Sequence, residues 1–516
     1  MFWLFRKDVM RKRQGIWLFT VWMCALSGAC AQDNQDNSLL TPEAFLETSL
    51  RQAVPAYGQE NSPSPTQGNA PLAGLDVPSL EPGAAHRNYF QTGATFNQSG
   101  NSNAGSALGG QQFTSITRGL GSVALHRVRG RYDLGLDYVG GVAYYSLQSV
   151  GAQVLQQLDF DEKISWKRGE LSLRDSFSYL PEGDFGATYG SLGSEETASI
   201  GSSSFGAFFG GSALGTFGLV PRVVNVSLAD VSEALTPKST FTGEAGYAFT
   251  HFYGGGISTA TPFISTSQFV GSSEISTQTS YNRTLTQHTQ VAMLYGYQGF
   301  DFSVTGLAFH SHVIEGMYGR RITGRMDLLI AAGPQFTRIN VACTVIDALS
   351  GNPRCGFISS GGVSGSIPDH RLGVAGQLRL RYRFSKASLD LSYQRYETGG
   401  TGLFAGAQSD IGQLSAERRL SRVYRGFVDL GYSRNSRLQS ADTVQGVNAN
   451  VYSYAFMGLG VRRPFGHNLN LFGSYQFNEL LFDHSLCGGV GACNRISNQH
   501  VITFGLDWIF RPIRLG

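Results

Sequence analysis

Charged residues are scarce in this chain of 516 residues: they make up 15% of it, against about 25% in a typical globular domain. Long apolar runs are missing as well, although 41% of the residues are hydrophobic. No stretch approaches the ~20 apolar residues that a membrane-spanning helix needs, so helical spans are excluded. Aromatic residues reach 12% and glycine occurs 66 times. The apolar residues alternate singly with polar ones, which is typical of a sheet whose two faces meet different solvents.

Cysteine is also rare. Two of the six cysteines lie within the first 31 residues, and the other four form two local pairs, Cys343 with Cys355 and Cys487 with Cys493, each in a Gly-rich, turn-prone stretch. Neither pair has the CxxC spacing of zinc ligands, and no histidine cluster accompanies both pairs. We therefore predict two loop disulfides, formed in an oxidising compartment.

The first 31 residues predict a secretory signal peptide. Basic residues at positions 6–13 precede an apolar run at 16–26 and a small-x-small cleavage site at 29–31. The apolar run is too short to span a bilayer. Lipid attachment at Cys30 is the disfavoured alternative to ordinary cleavage, because Ser27 stands three residues before it. Cleavage removes five basic residues and one acid, which changes the formal net charge from +3 to −1 and disfavours nucleic acid as a partner.

The rest of the chain divides into a polar segment and a long region of alternation. Residues 32–85 are rich in Pro, Gly, Ser, Asn and Gln, which predicts a flexible periplasmic leader. Residues 86–516 alternate at period two. In 372–384, the even positions carry Leu, Val, Gly, Tyr and Phe, while the odd positions from 377 onward carry Gln and Arg.

Strand length decides between a membrane barrel and a water-soluble sandwich. Sandwich strands run ~5–6 residues, whereas these segments alternate over roughly 10 to 16, the length a tilted strand needs to cross a bilayer. Aromatic residues gather at the ends of the apolar face, as in Trp508 and Phe510. The prediction is an all-β fold: a single transmembrane antiparallel up-and-down β-barrel of about 18 strands, with 16 as the next choice. It requires one descending strand near Arg222 to Val231, so that both ends of the barrel are periplasmic.

Short and long connections alternate along the predicted barrel. Short turns are predicted near Arg129-Gly130, Lys167-Arg168, Thr236-Pro237, Arg283-Thr284, Arg321-Ile322, Ser385-Lys386, Leu420-Ser421 and Pro464-Phe465. Long polar loops are predicted at about 97–118, 181–221, 340–369, 397–408, 434–448 and 483–497. Because short turns of bacterial barrels face the periplasm, both cysteine pairs fall in extracellular loops.

Almost every short turn carries Arg or Lys, which predicts a basic periplasmic rim. Its members are Arg127, Arg129, Arg131, Lys167, Arg168, Lys238, Arg283, Arg320, Arg321, Lys386, Arg418, Arg419, Arg462, Arg463 and Arg511. Ordinary solvated turn charge and specific contact with phosphates of the inner leaflet are both open interpretations.

The order of these features resembles that of porin-like outer-membrane β-barrel proteins: signal peptide, polar leader, long alternating strands, Arg-bearing turns and an aromatic last strand from Ile502 to Phe510. The segment Phe177-Ser178-Tyr179-Leu180-Pro181-Glu182-Gly183 is similar to one in an uncharacterised family of Gram-negative barrels. The resemblance covers residues 86–516 and implies location in the outer membrane of a Gram-negative bacterium. One departure is that Arg511 to Gly516 follow Phe510, whereas porins usually end on the aromatic residue.

The polar face of such a barrel lines its interior. The predicted lumen-lining residues are Arg379, Arg381, Arg383, Asp390, Gln394, Arg425, Asp429, Asp133, Asp137 and Asp507. Arginines and carboxylates on opposite walls would set a transverse field that biases ion passage, and static ion pairing that supports the wall is the alternative. The Phe-bearing loop 181–221 is the predicted constriction.

A passive or weakly selective diffusion pore for small hydrophilic solutes is the predicted function. The alternative is a structural or export-associated barrel, for example for surface polysaccharide, with a plugged lumen. No enzyme, cofactor or metal site is predicted, since His310-Ser311-His312 and Asp483-His484-Ser485 alternate between faces. A TonB-dependent transporter is disfavoured because the leader is too short for a plug. Predicted partners are outer-membrane lipid, lipopolysaccharide and the barrel-assembly machinery, with homo-oligomers left open.

Overall fold

The computed structural model describes fifteen stretches of the chain, and the findings below concern only these. They are residues 88–103, 113–146, 151–180, 222–253, 271–286, 288–302, 307–323, 325–342, 366–384, 387–399, 404–421, 423–438, 449–466, 468–487 and 495–515. All of them belong to the second of two units of the chain, Ala53–Gly516. The signal peptide, the leader, the loop 181–221 and the side chains of the four later cysteines lie outside the described residues, so those assignments stay predictions.

Long β-strands follow the alternating pattern. They are β1 (Tyr89–Asn101), β2 (Thr114–Arg129), β3 (Tyr132–Tyr145), β4 (Ala152–Trp166), β5 (Gly169–Leu180), β6 (Arg222–Thr236), β7 (Ser239–Phe252), β8 (Ser272–Thr286), β9 (Thr289–Phe302), β10 (Leu307–Thr323), β11 (Met326–Ala342), β12 (Ser366–Arg383), β13 (Ala387–Thr398), β14 (Ala407–Arg419), β15 (Arg425–Arg437), β16 (Val451–Phe465), β17 (Leu469–Phe482), β18 (Ile496–Ile509) and the two-residue β19 (Ile513–Arg514). A single 3-10 turn of helix, His484–Cys487, precedes β18. Among the described residues, no helix is long and apolar enough to cross a membrane.

The strands close into a barrel. Each pairs antiparallel with its neighbours in the chain, and β18 returns to β1 in a register that runs from Gly93 opposite Ile509 to Asn101 opposite Val501. β19 continues the path of β18 and pairs with the first two residues of β1. The ring therefore has 18 positions, which confirms the predicted barrel and its preferred strand number. The residues after Phe510 therefore continue the path of the last strand and stay paired with β1.

The descending strand that the predicted topology requires is present. β6 begins at Arg222, as predicted, and runs to Thr236, antiparallel to both β5 and β7. With it, the odd-numbered strands from β1 to β17 run one way and the even-numbered strands the other, and β19 runs in the direction of β18.

Several strand ends differ from the predicted turns. The predicted turns at 283–284 and 321–322 lie inside β8 and β10, which continue to Thr286 and Thr323. Likewise β1 and β2 shorten the loop predicted at 97–118 by several residues at each end. The connection between β7 and β8 was not among the predicted long loops, yet it runs from 253 to 271. Hydrogen-bonded pairing continues past the last apolar side chain, so a hydrophobic pattern alone underestimates strand length.

The two faces of the sheet are chemically distinct. Large apolar side chains are exposed on one face, including Leu372 at 71%, Phe504 at 66% and Met293 at 64%. Aromatic residues mark the periplasmic end of this face, among them Trp166 and Phe384. Because side chains alternate and the barrel is closed, this exposed apolar face is the outward one, and it meets lipid. The opposite face points inward.

Candidate functional site

Nine of the ten residues predicted for the interior have the parity of the inward face in the register, because each one alternates with outward apolar neighbours or pairs with a residue of that face; the side chain of Arg383 lies outside the described residues. On β12, Arg379 and Arg381 lie between the outward Leu378, Leu380 and Tyr382. The others are placed by their partners in the register: Asp390 opposite Arg381, Gln394 opposite Gln377, Asp429 opposite Ser415, Asp133 opposite Lys163, Asp137 opposite Asp159, Arg425 opposite Arg462, and Asp507 opposite Thr95.

Arginines dominate the inward face of β12–β16. Arg379 Nη2 and Arg381 Nε lie 3.0 and 3.3 Å from the same carboxylate oxygen of Asp390, so two cations share one acid. Arg425 lies opposite Arg419 on one side and Arg462 on the other. We call this set the basic wall. It comprises Arg371, Arg379, Arg381, Arg419, Arg425 and Arg462.

Carboxylates dominate the inward face of β3–β8. Asp137 and Asp159 are directly opposite each other on β3 and β4. Arg174 on β5 forms an ion pair with Asp230 on β6, and Glu274 Oε1 accepts a hydrogen bond of 2.6 Å from Gln298. We call this set the acidic wall. It comprises Asp133, Asp137, Asp159, Asp161, Asp230, Glu244 and Glu274.

The two walls face each other. Between them lie β9–β11 on one side of the ring and β17, β18, β1 and β2 on the other. Most members of the acidic wall, together with Arg371, Arg419 and Arg462, were not among the residues predicted for the interior. They share the parity of the predicted ones, so extending the face assignment along each strand identifies them.

The extracellular end of the β13–β14 hairpin leaves the wall and turns inward. Pairing of β12 with β13 stops at Gly376 opposite Arg395, while β13 stays paired with β14 up to Thr398. Three consecutive residues, Tyr396, Glu397 and Thr398, are then at most 4% exposed. A strand in the wall would expose alternate residues to lipid, so both faces of this segment are covered. We call the described residues at this end of the hairpin, 396–399 and 404–409, the mouth hairpin.

Polar contacts fix the mouth hairpin to the inward face of β11 and β12. The hydroxyl of Thr337 donates a hydrogen bond to the carboxylate of Glu397, and Arg371 Nη2 donates one of 2.9 Å to Gln408 Oε1. Thr337 and Arg371 are directly opposite each other in the register. Gln408 is directly opposite Glu397 in the register and faces the same two strands. The hairpin therefore packs against the inward face of β12 in the part of that strand, before Gly376, that does not pair with β13.

Apolar contacts hold the tip of the mouth hairpin against β9 and β10. Ala405 joins a buried cluster with the inward residues Phe300, Phe302, Leu307, Phe309 and Ile339, and with Leu438 at the end of β15. Gly406 has φ +88°, and a Cβ there would lie 3.0 Å from the Phe309 ring. Glycine is the residue that fits both this backbone and this close approach.

An aromatic contact anchors the other side of the tip. The Phe404 ring is fully buried, with its centroid 5.0 Å from that of Tyr452 and the Arg437 guanidinium 4.8 Å above it. The hairpin therefore spans from the strands of the basic wall to β9 and β10 and occupies part of the extracellular mouth. The predicted constriction at 181–221 lies outside the described residues.

The histidine triplets do not converge on a reaction centre. Ser311 is fully buried on the inward face, whereas His310 and His312 point outward. At the other triplet, Ser485 Oγ donates a hydrogen bond of 2.5 Å to Asp483, whose carboxylate also accepts from the backbone NH of Asn450. Within the described stretches, no group of three or more His, Cys, Asp or Glu residues is arranged to hold a metal ion.

Strand number, closure and the outward apolar face define a porin-like outer-membrane β-barrel, as the sequence predicted. No family model matches the chain, and no curated protein sequence matches it.

Among solved structures, the chain is similar to three outer-membrane proteins. OprD of Pseudomonas aeruginosa has 10% identity and a TM-score of 0.38, over 84% of this chain and 98% of that one. OccK9 (OpdG) of the same species has 12% identity and a TM-score of 0.39, over 83% and 98%. The ferric-catecholate import receptor Fiu of E. coli K12 has 8% identity and a TM-score of 0.38, over 82% of both chains. Because all three scores are low, the class assignment rests on the barrel's own geometry.

Proposed function

We propose that the barrel is a passive or weakly selective diffusion pore for small hydrophilic solutes, and that the two charged walls line its aqueous path. The observation that carries this proposal is the placement of like charges directly opposite each other on adjacent strands, Asp137 with Asp159 and Arg419 with Arg425. Like charges in directly opposed positions destabilise a sheet. Water in the lumen lowers that cost by screening and hydrating each charge.

Static support of the wall accounts for part of the pattern. Arg174 with Asp230, and Arg379 and Arg381 with Asp390, are ion pairs that tie neighbouring strands together. The segregation of acids to β3–β8 and arginines to β12–β16 needs a further reason, since pairing alone favours opposite signs on adjacent strands. Separated walls instead create a field across the lumen, which orients dipolar solutes and biases ion passage.

The mouth hairpin sets the narrow part of the proposed path. It is held in place by the buried hydrogen bond from Thr337 to Glu397 and by apolar contacts with Phe300 on β9 and Phe309 on β10. Passage then occurs beside it, between the walls.

Conductance of the purified protein in planar bilayers, combined with swelling of vesicles in neutral sugars of increasing size, tests the proposal. We expect stepwise ion conductance and uptake of small sugars with a size cut-off. Folded protein that conducts no ions and admits no sugar would contradict a pore.

A further inference from the structure

A group of basic and imidazole side chains lies on the outward face at the extracellular ends of β10–β12. Arg338 on β11 is directly opposite His310 on β10 and His370 on β12. Directly opposed residues have Cβ atoms about 4.5–5.5 Å apart, so the three side chains form one compact row. His312 lies next to His310 on the same outward face, and Arg338, His370 and His312 are exposed.

This row sits where the hydrocarbon band ends. Below Arg338, the outward residues of β11 down to Met326 are apolar, beginning with Phe336; below His370, β12 presents Leu372 and Val374, which are 71% and 59% exposed. The ten residues from Phe336 to Met326 rise about 25 Å along the membrane normal at ~3.3 Å per residue and ~40° tilt, which matches the thickness of the apolar band of such barrels. The row therefore lies at the level of the outer-leaflet headgroups.

Two hydrogen bonds orient the imidazoles. The Tyr297 hydroxyl lies 2.9 Å from His310 Nδ1, and the Tyr295 hydroxyl lies 2.9 Å from His312 Nδ1. Because Nδ1 is engaged in each ring, Nε2 is the atom turned to other partners. Within the described part of the chain, no carboxylate lies within ion-pair distance of Arg338; Asp301, an outward acid on β9, is opposite Ala308, two strands away.

We propose that this row binds a phosphate of the glycolipid of the outer leaflet, with the acyl chains lying on Phe336, Leu372 and Val374. Arg338 supplies the charge-assisted hydrogen bonds, which suit a phosphate because guanidinium presents two parallel N–H donors. The histidines supply further donors on either side. The depth of the row and its continuity with an exposed apolar surface favour a lipid headgroup over a dissolved anion.

Binding of lipid A to the full chain in detergent, followed by native mass spectrometry, tests this inference. Three probes separate the sources of the phosphate: diphosphorylated lipid A, the same lipid after dephosphorylation, and inorganic phosphate. We expect the first to bind at least about tenfold more tightly than the second, because a hydrogen bond to a charged group is worth about one decade in affinity or more.

Two variants of matched chemistry locate the site. Arg338→Gln should weaken binding of diphosphorylated lipid A by about tenfold, while Arg320→Gln, an outward arginine at the periplasmic end of β10, should leave it unchanged. Both positions are at the surface of the wall, so both variants should fold. Equal binding of the dephosphorylated lipid, an unaffected Arg338→Gln variant, or displacement of lipid A by an equal concentration of inorganic phosphate would each overturn the inference.

Discussion

The acidic wall and the basic wall are built on antiparallel strands with the same alternation, yet they differ in how their charges are partnered. On the acidic side, Arg174 faces Asp230 across one strand pair, and each is the other's ion-pair partner. On the basic side, two arginines compete for Asp390, and three others line up in adjacent strands. Ion pairs neutralise only part of either wall, so the acidic wall and the basic wall together should set the field across the barrel.

Shortening the mouth hairpin, which extends from the basic wall to β9 and β10, should have the largest effect. We expect replacement of residues 399–406 by Asn-Gly, a turn that joins two strands directly, to raise single-channel conductance by about twofold or more, because the hairpin no longer occupies the mouth. The control is Phe404→Leu, which keeps an apolar side chain at the anchor and should leave conductance unchanged. A shortened variant that is folded and conducts like the parent would show that the hairpin does not limit passage.

Neutralising part of the basic wall should shift ion selectivity strongly. In the double variant Arg379→Gln with Arg381→Gln, Asp390 loses both cations, so the potential around Asp390 turns negative and the ratio of cation to anion permeability should rise several-fold. Reversal potentials in a KCl gradient measure this ratio. Arg434→Gln, which removes an outward arginine from β15, is the matched control and should not change it. An equal shift in both variants would remove the basis for assigning the effect to the lumen.

Neutralising part of the acidic wall should act in the opposite direction and less strongly. Asp159→Asn with Asp161→Asn should lower the cation preference by about twofold at most, because the remaining acids of the wall persist and Arg174 already offsets Asp161, its partner in the register. Glu162→Gln, which removes an outward carboxylate from the same strand, is the control and should not change the ratio of cation to anion permeability. A shift toward cations in the double variant would contradict the assignment of sign.

Salt should produce the smallest and most general effect. Raising the concentration from 0.1 to 1 M shortens the Debye length from about 10 to about 3 Å. Reversal potentials measured at a fixed concentration ratio should then fall toward zero in the parent, and the variants of the two walls should converge. Selectivity that does not depend on salt would point to contact binding rather than to the field of the walls.

Much of the barrel is predictable from the sequence because its physical cause is local. Alternation of Leu378 with Arg379 assigns a face to every residue of β12, and closure in an even-numbered ring then follows from strand count. The same parity, carried along β7 and β8, identifies Glu244 and Glu274 as inward residues. Strand ends were placed too early, since polar ends such as those of β8 still pair.

The mouth hairpin was not predictable from local pattern. The apolar outward positions of β13 end at Tyr393 and give way to Arg395 and Glu397, which indicates where the lipid-facing part of the strand ends but not which way the chain then turns. The residues that hold the hairpin, Thr337 and Phe309, are distant in the chain and become neighbours only when the barrel closes. Polar residues of an extracellular loop thus look alike in sequence whether they face water or pack inside.

The accessibility of two adjacent positions on β12 to a thiol reagent tests most directly whether one face of the sheet lines a water-filled lumen and the other face meets lipid. In a background free of reactive native cysteines, Arg379→Cys and Leu378→Cys are compared in planar bilayers by adding a charged, membrane-impermeant thiol reagent during recording. Because Arg379 is inward and Leu378 is outward, we expect a stepwise change of current for Arg379→Cys and none for Leu378→Cys. A response of Leu378→Cys with a silent Arg379→Cys, or equal responses of both, would contradict it.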